Sequence, residues 1–188
     1  MDTREIETRF LEIDKAAVVA KLRSLGAEDR GDSLLTEIIF YDPELTWLTQ
    51  HRFARLRSSG GKTKLTYKQN APSGKQAVDS MREVEFEVSD MQKAETLLVG
   101  IGLVAYRRQE KKRHTFVLGD VTIDIDTWPK VPTYLEIEGP SEDALKDAAQ
   151  KLGFDWSNAV FADAREVLEK IYHLPFGTMR SFTFDKIE

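Results

Sequence analysis

The chain contains no cysteine. Disulfides, thiolate nucleophiles and cysteine-ligated zinc are therefore excluded, and a reducing compartment suits the composition. Histidine is nearly as scarce. His51, His114 and His173 are the full set, none at a metal-ligand spacing, so a bound metal would need oxygen ligands. No apolar run approaches the roughly 20 residues of a membrane span. The opening MDTREIETRF is charged where a signal peptide would be apolar. These absences predict a cytoplasmic protein with no membrane partner. The net charge of −5 argues against nonspecific nucleic-acid binding. It leaves room for a local basic site, because 27 Lys and Arg are present.

What is present is a chain of 188 residues, 41% hydrophobic and 31% charged, enough for a real core in one large domain or two small ones. Its opening pattern returns. EIETRFLEIDKAAVVAKLRSLGA (5–27), EVEFEVSDMQKAETLLVGIGL (83–103) and YLEIEGPSEDALKDAAQKLGF (134–154) each place an alternating Glu-x-Glu strand before a helix that stops at a glycine. Asp14, Ser89 or Asp90, and Ser141 are the N-cap candidates, and Gly26, Gly102 and Gly153 the stops. Three echoes predict one domain over residues 1–188, with 174–188 as a tail that supplies an edge strand or a homodimer contact. Further strands are expected at 36–42, 53–59, 62–69, 112–119 and 121–128. Ser58-Ser59-Gly60-Gly61 and Leu118-Gly119-Asp120 are the hairpin turns. Residues 43–51, with Trp47 and Leu48, read as a plain connection, and 160–173 as an amphipathic helix.

Successive side chains of a strand point to opposite faces. On that rule Glu5, Glu7 and Arg9 share a face, as do Arg55 with Arg57, and Lys64 with Thr66 and Lys68. Glu83 with Glu85, Asp124 with Asp126, and Glu136 with Glu138 complete the rows. One such row is a solvated outer face. Six of them, sorted into acids and bases, fit better with helices covering the apolar face and charges lining the other. A closed antiparallel barrel could hold them around a wet lumen. Carboxylate clusters suit hard divalent cations, and Arg and Lys suit phosphate oxygens. A polyphosphate with its metal needs both.

The ordered set Glu5-Ile6-Glu7-Thr8-Arg9, FYD (40–42), RLR (55–57), LTYK (65–68), REVE (82–85), KKR (111–113), IDID (123–126) and YLEIEG (134–139) resembles the CYTH family of triphosphate tunnel metalloenzymes over about residues 3–172. The resemblance implies an α+β fold, an eight-stranded closed antiparallel β-barrel with a charged lumen and helices outside. It implies a small triphosphate-containing substrate and a cofactor of Mg²⁺ or Mn²⁺. It places Glu5, Glu7, Glu136, Glu138 and Asp124 at the metal. It gives Arg55, Arg57, Lys64, Lys68, Lys111 and Arg113 to the phosphates, and sets Arg9, Glu83, Glu85 and Asp126 in the catalytic set. Two departures stand out. Arg9 replaces the signature lysine and cannot serve as a base, and Val131-Pro132 replaces a Leu-Gly pair before the last Glu-x-Glu strand. The expected reaction is metal-dependent triphosphate hydrolysis. Cyclisation of ATP to cyclic AMP and pyrophosphate is the alternative, and a non-catalytic triphosphate-binding module is a third reading.

Overall fold

A computed structural model describes residues 6–69 and 82–188. Glu5 lies outside the described residues. The elements run β1 Ile6–Phe10, α1 Lys15–Ser24, β2 Glu28–Tyr41, α2 Thr46–Thr49, β3 Arg52–Ser59, β4 Lys62–Gln69 and β5 Arg82–Val88. They continue with α3 Met91–Gly100, β6 Val104–Leu118, β7 Val121–Thr127, β8 Tyr134–Gly139 and α4 Glu142–Leu152. Last come a short α5, Ala164–Glu166, running into a π-helical turn at Val167–Ile171, and β9 Ser181–Phe182. The architecture is α+β.

Two compact units form. Among the described residues, the first joins the chain up to Ser33 with Lys111–Thr178, and the second joins Leu34–Glu110 with Met179–Glu188. The strand order is β1-β8-β7-β6-β2-β3-β4-β5, with β9 added in parallel to β6. The pairings between consecutive members of β1-β8-β7-β6 and of β2-β3-β4-β5 are antiparallel. The two long strands β2 and β6 each run through both units. The described pairings form an open order with β1 and β5 at its ends, not the closed ring expected from the resemblance.

In the first unit the apolar parity of β7 and β8 (Ile123, Ile125, Leu135, Ile137) packs with Val18 and Leu22 of α1 and Leu145, Ala148 and Ala149 of α4. Each helix contributes through residues three or four apart, which share one face. Asp14 and Ser141 cap these helices as predicted, Asp14 accepting from the amides of Ala16 and Ala17, and Ser141 from that of Ala144. Truncating a core residue such as Ile137 to alanine would cost about 2–5 kcal/mol. In the second unit Ile38, Phe40, Ala54 and Leu56 pack under Ala94 and Leu98 of α3, which Asp90 caps through the amide of Lys93. Helices therefore cover the apolar parity in both units, and the charged rows lie on the opposite parity.

Three glycines answer to local geometry. Gly60 and Gly61 both have positive φ, 56° and 80°, as the tight β3–β4 hairpin requires. Gly139 ends β8 where a Cβ would lie 2.8 Å from Cγ1 of Val121 and 3.0 Å from Cδ1 of Leu145. A side chain there would have to displace Val121 and Leu145.

The structure departs from the sequence reading in four places. Strands β2 and β6 begin at Glu28 and Val104, well before residues 36 and 112. Residues 46–49 form a helical turn instead of a plain loop, because both carboxylate oxygens of Asp42 accept backbone amides, from Thr46 at 3.0 Å and Trp47 at 2.7 Å. The expected helix over 160–173 starts only at Ala164, behind an Asp163–Glu166 capping box. Val160 instead makes a two-bond bridge to the backbone of Arg9. The apolar parity of β5 is only partly covered, with Val84 59% and Phe86 53% exposed.

Candidate functional site

In the first unit, register builds the site. The β1–β8 pairing sets Glu7 opposite Glu138 and Arg9 opposite Glu136. The β7–β8 pairing sets Asp124 opposite Glu136 and Asp126 opposite Tyr134. The β6–β7 pairing sets Arg113 opposite Asp126 and Thr115 opposite Asp124. Charged side chains from four strands thus line up in cross-strand rows, and a one-residue slip in any strand would turn its members away.

The carboxylates of Glu7, Glu136 and Glu138 converge, with one oxygen of each within 4.8 Å of the others. Glu136 is buried, Glu138 half-buried and Glu7 exposed, so the group has a protein side and an open side. Three hard oxygen donors at this spacing fit a divalent cation such as Mg²⁺ or Mn²⁺, which keeps room for water and phosphate oxygens. This is the described acidic group close enough to share an ion.

Cations are set among these acids. Arg9 Nη2 lies 2.5 Å from Glu136 and 3.0 Å from Glu7, while its Nη1 donates to the carbonyl of Ala162. Burial alone would lower the pKa of Arg9, but Glu136 and Glu7 outweigh it and raise the value. Arg113 donates to both oxygens of Asp126 at 2.6 Å, reaches Glu136 at 3.1 Å, and also pairs with Asp124. Lys111 Nζ sits 2.6 Å from Asp126 and 5.3 Å from the centre of the Trp128 ring. Burial pushes Asp126 and Glu136 up. Lys111 and Arg113 around the first, and Arg9 and Arg113 around the second, reverse that and hold both below the usual carboxylate range. Asp124 behaves oppositely. Burial raises it beyond what Arg113 and the hydroxyl of Thr115, 2.5 Å away, restore. Asp124 is engaged by these two and stands outside the converging triad.

In the second unit the rows are basic. Arg55 and Arg57 project from β3, with Arg57 directly opposite Glu37 of β2. Lys64 meets Glu85 at 2.6 Å and Lys68 meets Glu83 at 3.4 Å across β4 and β5. Glu85 is pushed up by burial, but its bonds to Lys64 and Thr66 hold it below its ordinary value. Arg55 is lowered, mainly by burial, and its buried Nε has no hydrogen-bond partner among the described residues. A half-buried guanidinium with one N–H short of an acceptor is a ready site for an oxyanion.

Three buried charged or amide side chains escape the sequence reading: Glu37, Arg107 and Gln109. Arg107 and Gln109 continue the alternate positions of Lys111 and Arg113 along β6, so extending that parity backward would have found them. Glu37 is the one acid in the second half of β2, among Leu34, Leu35, Ile38, Ile39, Phe40 and Tyr41, and carries no such signal. Parity does place His114 correctly, opposite Arg113. It is buried, with Nε2 2.6 Å from Asp29, and its ring lies 4.4 Å from that of Phe116, tilted by 31°. Lys112 is exposed.

The family model described as the CYTH domain matches residues 3–172. A comparison against proteins of curated function found no match. Solved structures share the fold. A Pyrococcus horikoshii protein is 24% identical with a TM-score of 0.69, covering 86% of this chain and 98% of its own. A candidate adenylate cyclase of Vibrio parahaemolyticus is 16% identical with a TM-score of 0.72, covering 88% and 97%. A Hippeastrum candidate adenylyl cyclase, described as having a dominant triphosphatase activity, is 14% identical with a TM-score of 0.64, covering 93% and 98%. Among the described residues, no helix is long and apolar enough to cross a membrane.

Proposed function

The chain belongs to the CYTH domain family, and from that premise we propose that it hydrolyses a triphosphate with the aid of a divalent metal ion. The observation that carries this reading is the convergence of Glu7, Glu136 and Glu138 within 4.8 Å, beside permanent cations. On this reading these three, with Glu5, hold Mg²⁺ or Mn²⁺. When bound, the ion supplies charge neutralisation at phosphate oxygens. The closed barrel belongs to the same proposal.

The chain's own residues do the rest. Phosphoryl transfer needs positioning and charge stabilisation more than covalent chemistry. Arg113 and Lys111, anchored by Asp126, present fixed N–H donors to phosphate oxygens. Arg55, Arg57, Lys64 and Lys68 do the same in the basic rows. Arg9 braces Glu7 and Glu136 and stays charged throughout, so it orients and does not move a proton. Glu85, held ionised by Lys64, is available with Glu83 to orient water. Asp124, which burial leaves easier to protonate, completes the set beside Arg113. Inorganic triphosphate or a nucleoside triphosphate is the substrate class.

Phosphorus NMR of the full chain with Mg²⁺ or Mn²⁺ tests this. Inorganic triphosphate should yield pyrophosphate and orthophosphate, as water is consumed across one anhydride bond. Release of pyrophosphate and cyclic AMP from ATP would replace the hydrolase with a cyclase. No turnover of either substrate, with triphosphate still raising the melting temperature, would leave a binding module.

A further inference from the structure

Glu37 is 2% exposed and sits among cations on the side of the sheet given to phosphate. A buried acid there works against anion binding unless it does something else. Its Oε1 accepts from Nε of Arg57 at 2.5 Å and lies 3.8 Å from Nη1 of Arg55. Its Oε2 accepts from Nε2 of Gln109, whose Oε1 accepts from Nε of Arg107 at 2.8 Å. Gln109 and Arg107 are 6% and 5% exposed. A chain of side chains therefore runs from β6 through β2 to β3, entirely within the second unit.

The geometry points to Glu37, backed by Gln109 and Arg107, as a positioning residue that aims Arg57 at a phosphate of the substrate. This deepens, and rests on, the triphosphate reading. Arg57 and Arg55 are like charges two residues apart on one strand face, and Arg57 opposes the charge on Arg55. Unbraced, they would splay. Glu37 takes Arg57 by Nε, at the inner edge of the guanidinium. The two terminal nitrogens are then left for a fork of two parallel bonds to an oxyanion. Gln109 fixes the carboxylate's second oxygen, so it cannot swing outward to meet the anion itself. A brace of this kind lowers the ordering cost of binding.

The idea is separable from plain electrostatics because the signs differ. Removing a negative charge beside an anion site should tighten anion binding. Removing a brace should weaken it. The experiment measures the Kd of inorganic triphosphate by calorimetry, and kcat and KM with Mg²⁺, for wild type, Arg57→Ala, Glu37→Ala and Glu37→Gln. Glu37→Ala should weaken triphosphate binding by about tenfold or more, the scale of a lost charge-assisted bond. KM should rise while kcat stays within about threefold, since the acidic triad is untouched. Glu37→Gln keeps an oxygen for Arg57 Nε and should lie between wild type and Ala. If Glu37→Ala fails to fold, the Gln variant decides, and binding weaker than wild type supports the brace. Unchanged or tighter binding by the Glu37 variants, with Arg57→Ala weakened, overturns the brace alone. If wild type and Arg57→Ala both ignore triphosphate, the functional reading itself falls and takes the brace with it.

Discussion

The charged rows of the two units follow one rule and arrive at opposite charge. In the first unit Glu7, Asp124, Asp126, Glu136 and Glu138 outnumber Arg9, Lys111 and Arg113, five carboxylates to three cations. In the second, Arg55, Arg57, Lys64, Lys68 and Arg107 outnumber Glu37, Glu83 and Glu85, five cations to three carboxylates. Both use alternate strand positions and antiparallel register. Both keep minority charges that hold the majority apart and in place. The acid excess suits a dication and the base excess a polyanion. A uniformly mixed surface would suit neither, because like-charged neighbours would each find a counter-charge within the protein.

The largest expected effect breaks the comparison on its acidic side. Glu138→Gln should reduce Mn²⁺ affinity and metal-dependent kcat/KM by more than about 100-fold, since even the outer partners of metal ligands cost about 10–100-fold. Metal-free binding of triphosphate and the melting temperature should stay near wild type. Calorimetry with each ligand separately would show it, and a parallel loss of both would mean the clusters do not divide the work. The mirror experiment is Arg57→Ala. It should weaken triphosphate binding by about 10–100-fold and leave Mn²⁺ affinity unchanged. Loss of metal affinity in that variant would contradict the division from the other side.

The smallest effect lies outside both clusters and calibrates them. Asp29 is held down to about 2, against an ordinary 3.8, first by its bond to His114 and then by Arg23. A depressed folded-state value means that the unfolded chain binds the proton more readily. The contribution to stability is therefore complete above 3.8 and is lost as the pH falls toward about 2. Asp29→Asn should flatten the acid limb of melting temperature against pH by about a degree or two, as suits a partly solvated pair. It should change neither ligand's affinity. An unaltered acid limb would remove the Asp29–His114 contact from the account of stability.

Much of this was legible in the sequence because strand alternation is a strong code. Glu7, Arg9, Arg55, Arg57, Lys64, Lys68, Glu83, Glu85, Asp124, Asp126, Glu136 and Glu138 all lie on the parity read for them. The helix caps and hairpin turns were legible too, since they depend on a few local atoms. The early halves of β2 and β6 were not. EDRGDSLL and VAYRRQEKK carry the charge and glycine of loops, and they are strands because each finds a partner ladder. Glu37 was hidden for a related reason. Its meaning depends on Arg57 and Gln109, brought beside it by register, and nothing adjacent in sequence announces either. Asp124 shows the remaining limit, because parity gives a face but not which neighbour claims the side chain.

The pairing of β1 with β8 has a consequence in time. Arg9 and Glu136 are 127 residues apart in sequence, yet they share a row. Closing so long a loop carries an entropic cost before any contact rewards it, and chains dominated by such pairings fold slowly. The converging acidic triad needs the same pairing, so a ribosome must deliver β8 before Glu7 has its carboxylate partners to face. A nascent chain halted between Arg107 and Tyr134 would carry the basic rows without the two β8 carboxylates that complete the acidic triad. It would hold cations suited to a polyanion and lack the complete set of three converging carboxylates suited to a dication.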